Sequence, residues 1–375
     1  MRPSIMGLAW ACLLITLAPL GGQTPHVFRP SDTDPEITAF DNLQYAYIDE
    51  SATVTRDKLA VFLPGTTGTP FFYREFLRYA AAMGYHSLGL MYPNNKAVGT
   101  LCAIQDRRNP NCPHDVRLEI IDGTDRTSLV DVDRVNSIEN RLIRALGYLE
   151  DLNSTDGWDR FLNQDGSIAW DRIVICGHSQ GGGHAAMIAK RHLVDRCLIF
   201  AAADWFPFED RPADWAHEVS ATPAHQAYVF GHLRDPLVTW QHLLPFARAC
   251  DLDRFGGPVS VDVAGSPQNG HILTTNVESA NFHNSVVVDL HTPRDPETGD
   301  PTFKGVWRYM LLAETPVLSF ERQGANSFEL YWHEAGTLQE STNLIHWDDT
   351  TEVQSPLRFS LEDIDSRIFY RVLQP

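Results

Sequence analysis

Residues 171–183 read D-R-I-V-I-C-G-H-S-Q-G-G-G, and this stretch decides the fold. The apolar, mostly β-branched run Ile173 to Cys176 predicts a short strand that is buried on both faces. The composition of residues 185–194, with its alanines and apolar side chains, predicts a helix. Ser179 therefore lies at a tight turn between a strand and a helix, and glycines stand two residues before it and two residues after it.

This arrangement is a G-x-S-x-G nucleophile elbow with Gly177 and Gly181 as its glycines. Such a turn strains the backbone of the serine, and only glycine lets neighbouring chain approach so closely. The hydroxyl of Ser179 is then expected above the sheet, at the positive end of a helix. The five-letter motif is common by chance, but the flanking strand and helix make it specific here. The alternative is a glycine-rich turn with an idle serine.

On these residues the chain resembles an α/β-hydrolase of the secreted serine-esterase and lipase type. The local sequence G-H-S-Q-G-G is similar to that of bacterial lipases and carboxylesterases, and the resemblance covers roughly residues 40–313. It implies an α/β fold in which helices flank a mostly parallel sheet. It also implies hydrolysis of carboxylic esters through an acyl-enzyme, with a small-molecule or polymeric ester as the substrate.

The resemblance further implies a triad in which serine, acid and histidine follow one another along the chain. His271 is the predicted base because it follows a predicted strand and lies in a glycine-bounded loop near the end of the domain. His283, in N-F-H-N-S, is the alternative base. Asp235, in G-H-L-R-D-P, is the predicted acid, and Asp204, one strand earlier, is the alternative acid. A buried carboxylate here would orient the imidazole and stabilise its charged form.

Charge that develops on the substrate oxygen requires backbone N–H donors. The resemblance implies one donor at Gln180, directly after the nucleophile, and one in the P-G-T-T-G loop that follows a strand at residues 58–63. Thr66 is the expected donor in that loop, with Thr67 as the alternative. A proline precedes Gly65 where the family usually has histidine, so the shape of the loop is open.

The remaining pattern alternates strands and helices, which predicts a parallel sheet with right-handed crossovers. Further strands are predicted at 58–63, 86–91, 198–202, 227–230 and 259–263, and helices at 72–83, 136–149, 239–249 and 303–313. Residues 93–135 show no clear periodicity and leave the carboxyl end of a strand. A segment of this kind is typically a lid, a binding loop or a disordered insert, and its two cysteines favour an ordered, lid-like insertion.

Three segments are predicted. Residues 1–22 hold Arg2, an apolar run and two glycines, as in a secretory signal peptide. Residues 23–314 are the α/β-hydrolase domain that contains the insertion. Residues 315–375 carry short alternating segments with turns between them, which predict a small β-sandwich-like module.

Cysteine use agrees with a secreted or periplasmic protein. Cys102 and Cys112 share one polar, proline-containing loop and are expected to form a disulfide in an oxidising compartment. Cys176 lies in a predicted buried strand, where we expect a free thiol. The sequence leaves open whether Cys197 pairs with Cys250.

Charge and motifs exclude several classes of partner. The formal net charge is −18, which argues against nucleic acid and against anionic membranes. After signal cleavage no run is long enough to cross a bilayer. No C-x-x-C or H-E-x-x-H predicts a metal site, and no phosphate-binding or dinucleotide-binding glycine motif follows a strand, so neither a metal nor a cofactor is expected. The oligomeric state is not readable.

Two alternatives to an esterase remain open at this stage. The same triad serves peptidases and thioesterases, which the sequence does not separate from esterases. A scaffold of the same fold can also bind a polymer or protein partner without catalysis, although the complete set of serine, acid and histidine candidates argues against it.

Overall fold

The computed structural model describes residues 23–263, 270–313, 318–322, 326–332, 337–350, 357–360 and 368–373. The predicted signal peptide, residues 1–22, lies outside the described residues. Within these ranges, no helix combines the length and the apolar character that crossing a membrane requires.

Nine strands of the described chain form one sheet, and two more form a small separate pair. In chain order these strands are β1 (Gln23–Phe28), β2 (Gln44–Asp49), β3 (Leu59–Leu63), β4 (His86–Gly89), β5 (Ile173–His178), β6 (Arg196–Phe200), β7 (Trp205–Phe206), β8 (Arg211–Pro212), β9 (Ala227–His232), β10 (Val259–Ser260) and β11 (Ile272–Thr275). The order across the sheet is β1-β2-β4-β3-β5-β6-β9-β11-β10. β2 is antiparallel to both of its neighbours, and the other pairs of the sheet are parallel. This confirms the predicted α/β class with a mostly parallel sheet.

The central strands are apolar throughout because both faces of the sheet are covered. Along β3, Val61 points to one hydrophobic core and Phe62 to the other. The same alternation continues in β5, where Ile175 and Cys176 pack into opposite cores. Each core therefore takes every second side chain of a strand.

Helices pack on both faces. They are α1 (Pro30–Thr33), α2 (Arg74–Ala82), α3 (Val98–Gln105), α4 (Cys112–Asp122), α5 (Ile138–Leu152), α6 (Gln180–Arg191), α7 (Trp240–Ala249) and α8 (Lys304–Leu312), with short 3₁₀ turns at Pro70–Tyr73, Trp158–Phe161, Trp170–Arg172, Asp214–His217, Ala224–Gln226 and Leu252–Phe255. Phe76 of α2 and Trp307 of α8 meet in one core at a ring separation of 5.8 Å. Leu142 of α5 and Met187 of α6 lie in the core on the other face.

The insertion at residues 93–135 is more regular than the sequence suggests, because α3 and α4 both lie within it. The expected disulfide between Cys102 and Cys112 is present and joins the two helices. In α3 the apolar residues do not fall on a single face, because Val98, Leu101 and Cys102 are buried whereas Ile104 is exposed, so this helix gives no clear periodic signal. Cys176, Cys197 and Cys250 are free thiols.

The end of the sheet also differs from the prediction. The sequence places the last strand at 259–263, but the structure has only the short edge strand β10 there, and the sheet continues through β11. The β11 sequence, I-L-T-T, is short and half polar, so it gives no strong strand signal. As a result His271 precedes a strand, whereas the prediction required it to follow one.

The C-terminal segment, in its described parts, consists of strands and turns. The strands are β12 (Leu318–Arg322), β13 (Ser327–Trp332), β14 (Thr337–Ser341), β15 (Asp348–Asp349), β16 (Leu357–Ser360) and β17 (Phe369–Leu373). They form two antiparallel sheets in the orders β12-β13-β16 and β15-β14-β17. Leu330 and Leu338 are buried between neighbouring apolar side chains. That this segment is a separate β-sandwich-like domain stays a prediction.

Candidate active site

The turn between β5 and α6 is strained and closely packed. Ser179 has φ 54° and ψ −119°, a conformation that costs a non-glycine residue on the order of 1–3 kcal/mol. A Cβ on Gly177 would overlap the backbone of Gly181, and a Cβ on Gly181 would overlap the backbone of Leu63. Only glycine fits at either position, so close backbone packing holds the serine in its unusual conformation.

Ser179 also has a favourable electrostatic position. It is the residue that caps the N-terminus of α6, and its own N–H donates to the Phe200 carbonyl oxygen at 2.8 Å. The first amides of an α-helix have no acceptor within the helix and carry partial positive charge. The serine lies at the carboxyl end of a parallel strand, which is the edge where sites form in such sheets.

A cavity of about 980 Å³ opens at this edge. Ser179 and Gln180 contribute to its wall, together with residues from the loop after β3, from α3 and α4, and from the segments after β6, β9 and β11. Six other parts of the chain therefore meet around the turn at Ser179.

His283 and Asp235 form a buried pair at this cavity. Nδ1 of His283 lies 2.7 Å from Oδ2 of Asp235, both side chains are buried, and His283 lines the cavity. Oδ1 of Asp235 accepts the backbone N–H groups of Leu237 and Val238 at 2.8 and 3.0 Å. An ionised carboxylate only accepts, so Nδ1 carries the proton and Nε2 of a neutral His283 keeps its lone pair.

The structure does not bring His271 to Ser179, and this corrects the predicted base. His271 immediately precedes β11, next to the amino end of β9, and so lies at the opposite edge of the sheet from Ser179. Its ring stacks on Tyr228 and Phe255 at 4.3 and 4.2 Å, and its Nδ1 binds the Ala227 carbonyl oxygen at 2.8 Å. Burial lowers its pKa to about 4, so it is a neutral core histidine.

Asp204, the alternative acid, has a different role. It lines the cavity, but Nε and Nη2 of Arg117 hold its carboxylate at 2.5 Å each. Nε1 of Trp215 donates a third hydrogen bond at 2.9 Å. The same Arg117 donates to the Gln180 carbonyl oxygen at 2.9 Å. Asp204 therefore helps to anchor α4 of the insertion against the start of α6.

The loop after β3 has one uncommitted amide. Gly65 N–H donates to the Tyr73 hydroxyl at 3.1 Å, Thr67 N–H to the Asn94 carbonyl oxygen at 3.0 Å, and Gly68 N–H to the Gly65 carbonyl oxygen at 2.9 Å. Within the described chain, Thr66 N–H has no such acceptor. Its hydroxyl donates to Oε1 of Gln180 at 2.7 Å, so the side chains of the two residues expected to supply the oxyanion donors are in direct contact.

Asn94 braces this loop and was not singled out from the sequence. Its buried side-chain amide donates to the carbonyl oxygens of Gly65 and Gly68 at 2.9 and 2.8 Å. Tyr73, His178 and Arg117 were also missed as site residues. His178 lies inside the motif itself, but Tyr73 falls at an apolar position of a predicted helix and Arg117 in a stretch without periodicity, so neither gave a signal.

No protein-family model matches the chain, and no curated protein matches its sequence. The local geometry therefore provides the basis for a functional assignment. That geometry consists of a strained serine, a buried histidine–carboxylate pair, and Thr66 and Gln180, all of which line or adjoin one cavity.

Proposed function

We propose that the protein is a serine hydrolase of the α/β-hydrolase fold that cleaves carboxylic esters through an acyl-enzyme. One observation carries the proposal: Ser179, held at a positive φ, shares a cavity with His283, whose Nδ1 is bonded to the buried carboxylate of Asp235. Ser179 is the nucleophile, His283 the general base and acid, and Asp235 the group that orients His283.

The topology supports this assignment. The serine follows β5, the aspartate follows β9 and the histidine follows β11, which is the chain order serine, acid, histidine of α/β-hydrolases. Each of the three residues follows the carboxyl end of a parallel strand, and these ends lie along the same side of the sheet, where binding sites form in such folds. The base named first from the sequence gives way to His283, and the acid remains Asp235.

The chemistry follows from the proton positions. Nε2 of His283 takes the Ser179 proton as Oγ attacks the ester carbonyl carbon, and the carbonyl π electrons move to oxygen. Thr66 N–H and Gln180 N–H stabilise that oxyanion. As the intermediate collapses, the C–O bond to the alcohol breaks and His283 returns the proton to the leaving alkoxide. Water then repeats the sequence, and its attack releases the carboxylic acid and regenerates Ser179.

The cavity wall favours neutral, apolar esters. Among the described residues that line it, Arg117 is the only arginine or lysine, and its guanidinium is already bound to Asp204 and the Gln180 carbonyl oxygen. An anionic substrate would thus find no unpaired cation. Leu237, Leu290 and Ile104 line the cavity and remain exposed, which provides an apolar rim for an acyl or alcohol chain.

Export is part of the same proposal. The Cys102–Cys112 disulfide is typical of proteins from oxidising compartments, and the sequence pattern of residues 1–22 fits a secretory signal peptide. We therefore place the hydrolase outside the cytoplasm.

Active-site labelling tests the proposal directly. A fluorophosphonate should label the wild-type protein, and Ser179→Ala should lose labelling and lose ester turnover by roughly 10⁴- to 10⁶-fold. Ser154→Ala is the matched control, because Ser154 is exposed and distant in sequence from the lining residues. Full ester hydrolysis by a folded Ser179→Ala protein would refute the assignment.

A further inference from the structure

His178, the residue before the proposed nucleophile, joins two loops of the site through its ring. Its Nδ1 lies 3.0 Å from the Tyr73 hydroxyl, and its Nε2 lies 3.0 Å from the backbone carbonyl oxygen of His283. The Tyr73 hydroxyl in turn receives the Gly65 N–H at 3.1 Å. The three side chains of this chain of contacts, those of Tyr73, His178 and His283, are buried.

Only one arrangement of protons satisfies these contacts. A carbonyl oxygen accepts, so Nε2 of His178 must carry the ring proton, and Nδ1 of the neutral ring must accept. Tyr73 O–H then donates to Nδ1 while its oxygen accepts from Gly65 N–H. Burial lowers the pKa of His178 to about 3 and raises that of Tyr73, so neither group ionises near neutral pH and the arrangement persists.

The contacts hold the proposed base from both sides. Asp235 fixes the ring of His283 through Nδ1, and His178 fixes the backbone of the same residue. At the other end of these contacts, Gly65 N–H donates to the Tyr73 hydroxyl. The next amide, that of Thr66, remains available for another acceptor. The loop that carries the base is tied to the same region a second time, because Asp289 accepts the backbone N–H groups of Arg74 and Glu75 at 3.1 and 3.2 Å.

We infer that Tyr73 and His178 are positioning residues, whose hydrogen-bonded link sets the distance between the base loop and the oxyanion loop on either side of Ser179. The inference rests on the proposed function and adds to it two residues that act through the positions of the base loop and the oxyanion loop. A small displacement of a catalytic group costs up to about 100-fold in rate, so the link governs turnover more than substrate binding.

The experiment compares variants of equal bulk on a soluble aryl ester. Tyr73→Phe should lower kcat about 10- to 100-fold with KM changed less than about threefold. His178→Leu should have the same effect, and the double variant should lose little more than either single variant, because both break one link. His178→Gln, which keeps one donor and one acceptor, should recover part of the activity.

Tyr85→Phe is the matched control. Its buried hydroxyl donates to the Leu311 carbonyl oxygen at 2.7 Å, away from the residues that line the cavity, so it reports the effect of losing a buried hydroxyl on stability alone. Each protein is assayed well below its measured Tm. Unchanged kcat in folded Tyr73→Phe, a loss equal to that of Tyr85→Phe, or multiplicative losses in the double variant would overturn the inference. Because Ser179→Ala is assayed in parallel, failure of the link can be told apart from failure of the proposed hydrolase.

Discussion

The Asp235 carboxylate accepts the Nδ1 proton of His283 on one oxygen, at 2.7 Å, and two backbone N–H groups on the other. The carboxylate is therefore fixed by its own turn, independently of the histidine. Aspartate side chains bond local backbone amides in this way after strands, so the proposed acid is held in place before it orients the proposed base.

We predict that Asp235→Asn loses about 10⁴-fold in kcat while the protein remains folded. In the variant, the side-chain NH₂ group of the asparagine would face Nδ1 of His283 and donate to it. This favours the His283 tautomer whose Nε2 carries the proton and cannot act as a base. Steady-state kinetics on a soluble aryl ester measure the loss. Asp262→Asn is the control, since Asp262 binds Thr275 and Asn276 next to β11. Near-normal turnover in Asp235→Asn would contradict the assigned acid.

The assignment of the base is tested by two matched substitutions. His283→Gln should abolish turnover with little change in Tm. His271→Gln should keep turnover and lower Tm, because it removes a ring stacked between Tyr228 and Phe255. The pair of measurements is kcat and thermal unfolding for both proteins. An active His283→Gln together with an inactive His271→Gln would support His271 as the base, as first predicted from the sequence.

The incorrect choice of histidine shows which features of the site can be predicted from sequence and which cannot. The elbow was readable because its signal is local: two glycines, a buried strand and a helix within some twenty residues. The base depends on which strand ends before it, and I-L-T-T of β11 is too short and polar to be recognised beside the more regular alternation at 259–263. The predicted order of serine, acid and histidine along the chain is also compatible with His283. Because strand β11 was not predicted, His271 was chosen, and it lies at the amino end of the parallel strands instead of the carboxyl end.

Long-range polar contacts could not be predicted from the sequence either. Arg117 bonds Asp204 and Gln180, and His178 bonds Tyr73 and His283, yet none of these pairs leaves a periodic trace in the sequence. Thr66 was predicted as an oxyanion donor from its position after a strand, but only the coordinates show that the amides of Gly65, Thr67 and Gly68 are already hydrogen-bonded. Patterns of apolar residues thus predict the sheet and the helices that cover it, whereas the polar networks between them can be identified only from the coordinates.

Opening the disulfide should change substrate access more than catalysis. Cys102 and Cys112 tie α3, which lines the cavity, to α4, and Arg117 anchors α4 to α6. We expect Cys102→Ser/Cys112→Ser to alter KM for bulky esters several-fold and to leave kcat on a small aryl ester nearly unchanged, with a stability loss of roughly 2–4 kcal/mol. Parallel loss of folding and of activity on all esters would count against a lid-like role.

The apolar rim should matter only for hydrophobic substrates. Leu237 and Leu290 are 72% and 77% exposed at the mouth of the cavity. Leu237→Ser/Leu290→Ser should reduce kcat/KM for long-chain neutral esters several-fold, since each buried methylene contributes about 0.8 kcal/mol, and should spare short-chain esters. Val219→Ser is the control, at 95% exposure and outside the lining. An equal loss on short and long esters would exclude rim binding.

Stability should fall as the medium becomes acidic, and His271 should account for one part of the fall. Burial lowers its pKa from 6.5 to about 4. Between these values the unfolded chain binds a proton that the folded protein does not, so the free energy of unfolding decreases as pH falls through this window. One such group contributes a slope of up to about 1.4 kcal/mol per pH unit.

His271→Phe keeps an aromatic ring between Tyr228 and Phe255 and removes the titrating group. We expect its unfolding free energy to start lower at pH 7, because the bond to the Ala227 carbonyl oxygen is lost, and then to fall less steeply between pH 6.5 and 4. By pH 4 the wild type should have lost on the order of 3 kcal/mol more unfolding free energy than the variant over this window. Urea unfolding at half-unit pH steps measures both curves, and parallel curves would show that the pKa of His271 is the same in the folded and unfolded protein.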